Sequence, residues 1–239
     1  MSLPSISRWE NRNALVTGAS SGIGSAICEA FVKHGINVIG CGQEIMTGIQ
    51  ALAATFVEKK YPGKLIPYKC DISKDDELEK MFEWIKPTIM ELMFVSITLE
   101  MTGNEMREMM GTNVIGLAIC TSKAVKSMKE RGVNDGHIFN INSLSGHRLT
   151  STDLNFYSAT KYAVTALTEG FRRELVENSK IKVTSISPGF VETEFVGRMY
   201  NDEQKAKDIY ATVDVLKPND IADIVLFALS GPPNVQVER

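Results

Sequence analysis

The chain is poor in the residues that build stapled or metal-bound folds. Of 239 residues only four are cysteine (Cys28, Cys41, Cys70, Cys120) and three are histidine (His34, His137, His147). None stands in a CxxC or a Cys/His ligand spacing, so neither disulfides nor a metal site is expected, and a reducing, cytoplasmic setting fits best. A basic excess is also missing. Twenty-six Lys and Arg against 29 Asp and Glu leave a net charge of −3, unlike the usual basic surface of a nucleic-acid binder. The one local cluster, Lys123, Lys126, Lys129 and Arg131, falls on a helical stretch and reads as a solvated face. No apolar run approaches the roughly 18 residues of a membrane span. The first residues, with Arg8, Glu10 and Arg12, lack the apolar segment of a signal peptide. Linkers, repeats and low-complexity tracts are likewise missing, so residues 1–239 are expected to form one domain.

What is present is ordinary globular material, 44% hydrophobic and 23% charged, enough for a sizeable core. Short β-branched runs at 14–17, 37–40, 65–70, 137–141 and 181–186 alternate with helical patterns. The first pattern places Ile23, Ala26, Ile27, Ala30 and Phe31 on one face and stops at His34-Gly35. Others span about 47–60, 73–85 and 157–176. Ser73, three residues before Asp76, reads as a helix cap. Strands alternating with helices predict an α/β fold: a Rossmann-type, doubly wound parallel sheet with helices on both faces.

Two stretches carry chemistry. Thr17-Gly18-Ala19-Ser20-Ser21-Gly22-Ile23-Gly24 follows the first strand and opens the first helix. Gly18 permits a tight turn, Gly22 a close approach of backbone to a pyrophosphate, and Gly24 close helix–strand packing. The helix N-terminus offers unpaired N–H groups and positive dipole to phosphates. The second stretch is Tyr157-Ser158-Ala159-Thr160-Lys161. Positions four apart share a helix face, so phenol and ammonium point the same way. A free tyrosine titrates near 10, and bringing it to neutrality takes about 4 kcal/mol of differential interaction. A neighbouring cation supplies part of that by favouring phenolate, which would let Tyr157 act as general base or, protonated, as general acid. Ser143 stands just past the strand at 137–141, where ligands sit in open α/β sheets, and is placed to donate to a substrate oxygen. Ser145 is its rival, and Ser143 is preferred as closer to the strand end.

The combination of TGxxxGIG, Ser143, Tyr157/Lys161 and Ser187-Pro188-Gly189 resembles the short-chain dehydrogenase/reductase family over nearly the whole chain. The resemblance implies an oxidoreductase moving hydride between a nicotinamide dinucleotide and an alcohol or carbonyl. It makes Ser143, Tyr157, Lys161 and Asn113 catalytic, with Asn113 helping to hold a proton-relay water. It places Gly18, Ser20, Ser21, Gly22, Ile23, Gly24, Gln43, Asp71, Lys161, Pro188, Gly189 and Thr193 at the cofactor. Asp71 would line the adenine, and Pro188, Gly189 and Thr193 would face the nicotinamide. The Ser-Leu-Ser-Gly-His-Arg segment at 143–148 is similar to a cytosolic subgroup with farnesol-type alcohol dehydrogenases and 17-beta-hydroxysteroid or 3-ketosteroid reductases. That implies a lipophilic secondary or allylic alcohol or ketone, with His147 and Arg148 either bordering its pocket or on a surface loop. The stretches 113–128 and 157–176 resemble the helices of the family's interface, implying a homodimer or homotetramer, although Ala163, Leu167 and Phe171 could equally face the chain's own core.

Three departures stand out. The family's Asn-Asn-Ala-Gly is replaced by residues 92–99, Leu-Met-Phe-Val-Ser-Ile-Thr-Leu, in a connection shorter by roughly ten residues. Met93 to Ile97 could still form a central strand. After the second strand come Gly42-Gln43-Glu44, with no Asp at the position expected for NAD, so NADP(H) is favoured and NAD(H) is the alternative. The chain closes on Val235-Gln236-Val237-Glu238-Arg239, where the family's last strand runs further. These departures keep a second reading open, a dinucleotide-binding or assembly module with impaired catalysis.

Overall fold

A computed structural model describes residues 6–42, 48–85, 93–96, 104–150, 154–194, 196–197 and 202–237. Within them six strands form one parallel sheet: β1 (Asn13–Thr17), β2 (Asn37–Gly42), β3 (Leu65–Lys69), β4 (Met93–Ser96), β5 (His137–Ile141) and β6 (Lys182–Ile186), in the order β3-β2-β1-β4-β5-β6. The helices are α1 (Gly22–Lys33), α2 (Gly48–Glu58), α3 (Asp75–Ile85), α4 (Glu105–Met110), α5 (Leu117–Glu130), α6 (Asn155–Val176), α7 (Glu203–Thr212) and α8 (Pro218–Ser230). The expected doubly wound α/β architecture is therefore observed.

Burial is nearly continuous along β1, β2, β5 and β6, with successive side chains on opposite faces, because a sheet covered on both faces needs apolar side chains on both. Ala14 and Val16 of β1 join Ile27 and Phe31 of α1 and Ile221, Val225 and Leu229 of α8 in one core. Leu15, between them, points the other way, into a core with Leu78, Met81 and Phe82 of α3, Cys120 and Ala124 of α5 and Leu175 of α6. All four cysteines are buried and free. Burial pushes Cys28 far up, and burial together with the nearby carboxylates of Glu77, Asp71 and Asp76 pushes Cys70 up to about 12.

The departure at the fourth strand does not break the sheet. Met93, Phe94 and Val95 pair in register with Ala14, Leu15 and Val16, while Phe94, Val95 and Ser96 pair with Ile138, Phe139 and Asn140. Leu92 and residues 97–99 lie outside the described residues. At the far edge, residues 232–237 run beside β6 without forming a strand. Lys182 Nζ donates to the carbonyls of Pro232 and Val235 at 2.8 and 2.7 Å, and Gln236 Nε2 to that of Val183 at 2.7 Å. Glu238 and Arg239 lie outside the described residues.

Local details correct the sequence reading. The helix expected from Ser73 begins at Asp75. The Ser73 hydroxyl and N–H both donate to Asp71 Oδ1, at 2.7 and 3.0 Å, and Asp76 pairs with Lys80 instead. A carboxylate two residues upstream competes better for Ser73 than the helix start does. Of the basic cluster, Lys126 and Lys129 are exposed as expected, but Lys123 is half-buried against Glu79 and Arg131 is half-buried. Ala163, Leu167 and Phe171 are half-buried, and Phe171 packs on the chain's own core.

Candidate active site

Strand order reverses between β1 and β4, and in open parallel sheets ligands bind in the crevice outside the carboxyl ends at that point. A cavity of about 1130 Å³ lies there. Its walls come from the loops after four strands: Gly18 to Ile23 after β1, Asp71 and Ile72 after β3, Ile141 to Ser145 after β5, and Pro188 to Thr193 after β6.

The glycine loop explains the dinucleotide end. Gly22 has φ +56°, and a Cβ there would sit 3.1 Å from Thr193 Cγ2, across the cavity. At Gly24 a Cβ would stand 2.1 Å from the Gly18 carbonyl oxygen, so only glycine lets α1 start this close to the turn. Ser21 is the N-cap of α1, its side chain makes no capping bond, and the first turn carries no acidic residue. The dipole and N–H groups at this end therefore face the cavity with no capping side chain from Ser21 and no carboxylate in the first turn of α1. These features fit a pyrophosphate. Gly42 ends β2 without a side chain at the cavity wall. Gln43 and Glu44 lie outside the described residues.

Ser143, Tyr157 and Lys161 converge on the same cavity. Ser143 caps a single 3-10 turn, Leu144–Gly146, and its Oγ accepts from the Ser145 N–H at 3.1 Å. That bond occupies a lone pair and leaves the hydroxyl hydrogen for Tyr157. Tyr157 is half-buried, and its desolvation pushes its pKa up, while the hydrogen bond from Ser143 pulls it back down. Lys161 Nζ stands 5.7 Å from the centre of the Tyr157 ring and donates to the Ile141 carbonyl at 3.0 Å. Lys161 is itself buried, and desolvation lowers its pKa to about 8. The expectation that the lysine would bring Tyr157 below its ordinary value is thus corrected. Desolvation outweighs the Ser143 hydrogen bond, which leaves the phenol above its ordinary value and protonated at pH 7.

The other sequence candidates divide. Ser20, Ser21, Ile23, Asp71, Pro188, Gly189 and Thr193 line the cavity, but Gly24 and Asn113 do not. Asn113 is buried in one turn of π-helix, Gly111–Gly116, that joins α4 to α5. Its Nδ2 donates to Thr160 Oγ1 at 2.9 Å, and that hydroxyl donates to the Tyr157 carbonyl at 2.7 Å. Ser145, the rival serine, shares its hydroxyl with Thr150 at 2.7 Å. Arg148 borders the cavity, whereas His147 bonds to Ser187 Oγ at 2.8 Å. Not foreseen were the apolar lining residues Leu149, Leu154, Phe190 and Val196, together with Glu194 and Asp214. They lie on loops and single helical turns with no periodicity to mark them.

A parallel sheet with a glycine-rich turn at its switch point, and a Ser/Tyr/Lys cluster facing it, defines a Rossmann-type oxidoreductase site. The short chain dehydrogenase family model matches residues 12–204. Human dehydrogenase/reductase SDR family member 11 is 44% identical, over 99% of this chain and 95% of the relative. Farnesol dehydrogenase of Aedes aegypti is 40% identical over 97% and 95%. Among solved structures, an actinorhodin polyketide ketoreductase with NADPH is similar at a TM-score of 0.81 and 27% identity, covering 95% of each chain. The chain belongs to the short-chain dehydrogenase/reductase family. It is an oxidoreductase that acts on CH–OH groups with a nicotinamide dinucleotide.

Proposed function

We propose that the chain, acting as one domain over residues 1–239 in the cytoplasm, interconverts a lipophilic secondary or allylic alcohol and its carbonyl with NADP(H), using Tyr157 as the proton donor and acceptor. The observation that carries this reading is the convergence of Ser143, Tyr157 and Lys161 on a cavity also lined by the α1 N-terminus and by the apolar side chains of Leu149, Leu154, Phe190 and Val196. Its volume exceeds the roughly 300–1,000 Å³ of a usual ligand pocket, leaving room for a dinucleotide and a second molecule. Those apolar side chains suit a lipophilic body, and the Aedes aegypti relative is named for farnesol. Gly42 presents no carboxylate to a ribose phosphate, which favours NADP(H), with NAD(H) the alternative.

The cofactor, when bound, supplies hydride for carbonyl reduction and takes it up in the reverse direction. The chain's own residues handle the proton. In reduction, the neutral Tyr157 gives its phenolic proton to the substrate oxygen as the hydride reaches carbon, and the Ser143 hydroxyl steadies the oxygen charge that develops. Lys161, protonated below its pKa near 8, stabilises the phenolate left behind and holds the cofactor ribose. In oxidation the same phenolate recovers a proton from the alcohol. Ser20, Ser21, Gly22 and Ile23 cradle the pyrophosphate. Gly18 and Gly24 shape that turn, Gln43 and Asp71 flank the adenosine, and Pro188, Gly189 and Thr193 border the nicotinamide. Asn113 holds the relay water.

Met106, Met110, Ile115 and Tyr162, exposed around α4 and α6, support a homodimer or homotetramer through these helices. The experiment is NADPH-dependent reduction of a lipophilic ketone, and NADP⁺-dependent oxidation of farnesol, by wild type and Tyr157→Phe. Turnover should fall about 10²–10⁴-fold in the variant. Equal turnover in both proteins would take Tyr157 out of the proton's path, and none in wild type would favour the binding-module reading instead.

A further inference from the structure

Three asparagines each donate their Nδ2 to a threonine of α6: Asn113 to Thr160, Asn142 to Thr165 and Asn140 to Thr168, at 2.9, 2.8 and 2.9 Å. Each threonine hydroxyl then donates to a backbone carbonyl. The Thr160 and Thr168 hydroxyls close on carbonyls of α6 itself, those of Tyr157 and Val164. Only the Thr165 hydroxyl crosses to another segment. It donates to the Gly146 carbonyl at 2.9 Å, with the Lys161 carbonyl further off at 3.2 Å.

That crossing joins the two halves of the reacting cluster. Asn142 directly precedes Ser143, and Gly146 closes the turn that Ser143 caps. Thr165 lies one helical turn beyond Lys161 and two beyond Tyr157, on their side of α6. The segments are in close contact: a Cβ on Gly146 would lie 2.6 Å from Asn142 Oδ1 and 2.7 Å from the Lys161 carbonyl oxygen. Asn142 is buried, so its amide keeps this geometry without competition from water. The residue before it, Ile141, accepts the Lys161 ammonium at 3.0 Å. The end of β5 therefore holds two successive turns of α6, once through a lysine and once through a threonine.

We propose that Asn142 and Thr165 are positioning residues that set the spacing between Ser143 and Tyr157. Thr165 does not line the cavity, and Asn142, at its wall, spends its Nδ2 on Thr165. They act through the Ser143 turn, whose hydrogen bond to Tyr157 eases ionisation of the phenol. The proposal rests on Tyr157 being the proton carrier, and reactions of this kind lose rate steeply with small misplacements.

The test uses Thr165→Val, which removes the hydroxyl at nearly constant shape, and Thr165→Ser, which keeps it. The ionisation of Tyr157 is followed by ultraviolet difference titration against the matching Tyr157→Phe protein, and kcat by NADPH consumption. In Thr165→Val the Tyr157 pKa should rise, as in Ser143→Ala. Its kcat should fall about tenfold or more, with the NADP⁺ thermal shift kept. Thr165→Ser should restore both. An unchanged titration in Thr165→Val, or equal defects in the Val and Ser variants, would overturn the proposal. If Thr165→Val fails to fold, Asn142→Ser, which shortens the donor, carries the same prediction. A wild type without turnover would count against the oxidoreductase reading alone, because the titration reads Tyr157 without substrate.

Discussion

Tyr157 and Lys161 sit in opposition that their spacing does not reveal. Burial disfavours the charged form of each, so the phenol is pushed up and the ammonium down to about 8. The lysine has a consequence for stability. Its pKa falls from 10.5 to about 8 on folding. Between those values the unfolded chain holds a proton that the folded chain has lost, so stability rises with pH across the window. Below pH 8 the buried charge weighs on the fold in full, by at most about 3 kcal/mol. Lys161→Met should therefore flatten the alkaline rise of Tm between pH 8 and 10. A parallel rise in wild type and variant would show that Lys161 is not the group responsible. Locations were legible in the sequence: Ser143, its rival Ser145, Tyr157 and Lys161 all line the cavity. Environments were not, because desolvation comes from packing that spacing does not encode. His137 makes the same point. It is one of three scattered histidines in sequence, and in the fold it is stacked on Phe139 with its pKa pushed down to about 3 by burial.

At the scale of elements, the start of α1 is the tightest constraint. A methyl group at Gly24 meets main chain, the Gly18 carbonyl, and backbone cannot swing aside as a flexible side chain would. Gly24→Ala should cost about 1–3 kcal/mol and weaken dinucleotide binding, read by chemical denaturation and by cofactor titration. Wild-type values for both would mean that α1 can shift without harm. The glycine pattern was legible because each glycine meets a backbone requirement that no other residue satisfies. The strand and helix positions were legible through their periodicity. The π-helical turn at Asn113 was not, since its register shift leaves no mark in the spacing of apolar residues. The cap at Ser73 was misjudged because a local pattern could not weigh the rival carboxylate of Asp71.

For the whole molecule, the question raised by the sequence was whether a chain lacking the usual fourth-strand ending could still form the crevice. Four residues suffice. Met93–Ser96 bridges β1 and β5 in register, and the halves of the sheet meet at the point where the cavity opens. β4 was legible as a short apolar run, while the apolar lining of the cavity came from separate segments whose meeting is a property of the assembled fold.

The most direct measurement is thermal stability against rising NADP⁺ and, separately, NAD⁺. At a hundred times its dissociation constant, a ligand bound only by the folded state adds about 2.7 kcal/mol. The account predicts a dose-dependent rise with NADP⁺ at concentrations where NAD⁺ has little effect. No rise with either dinucleotide would contradict it, and would mean that the crevice at the β1/β4 switch point does not hold the cofactor on which every assigned role depends.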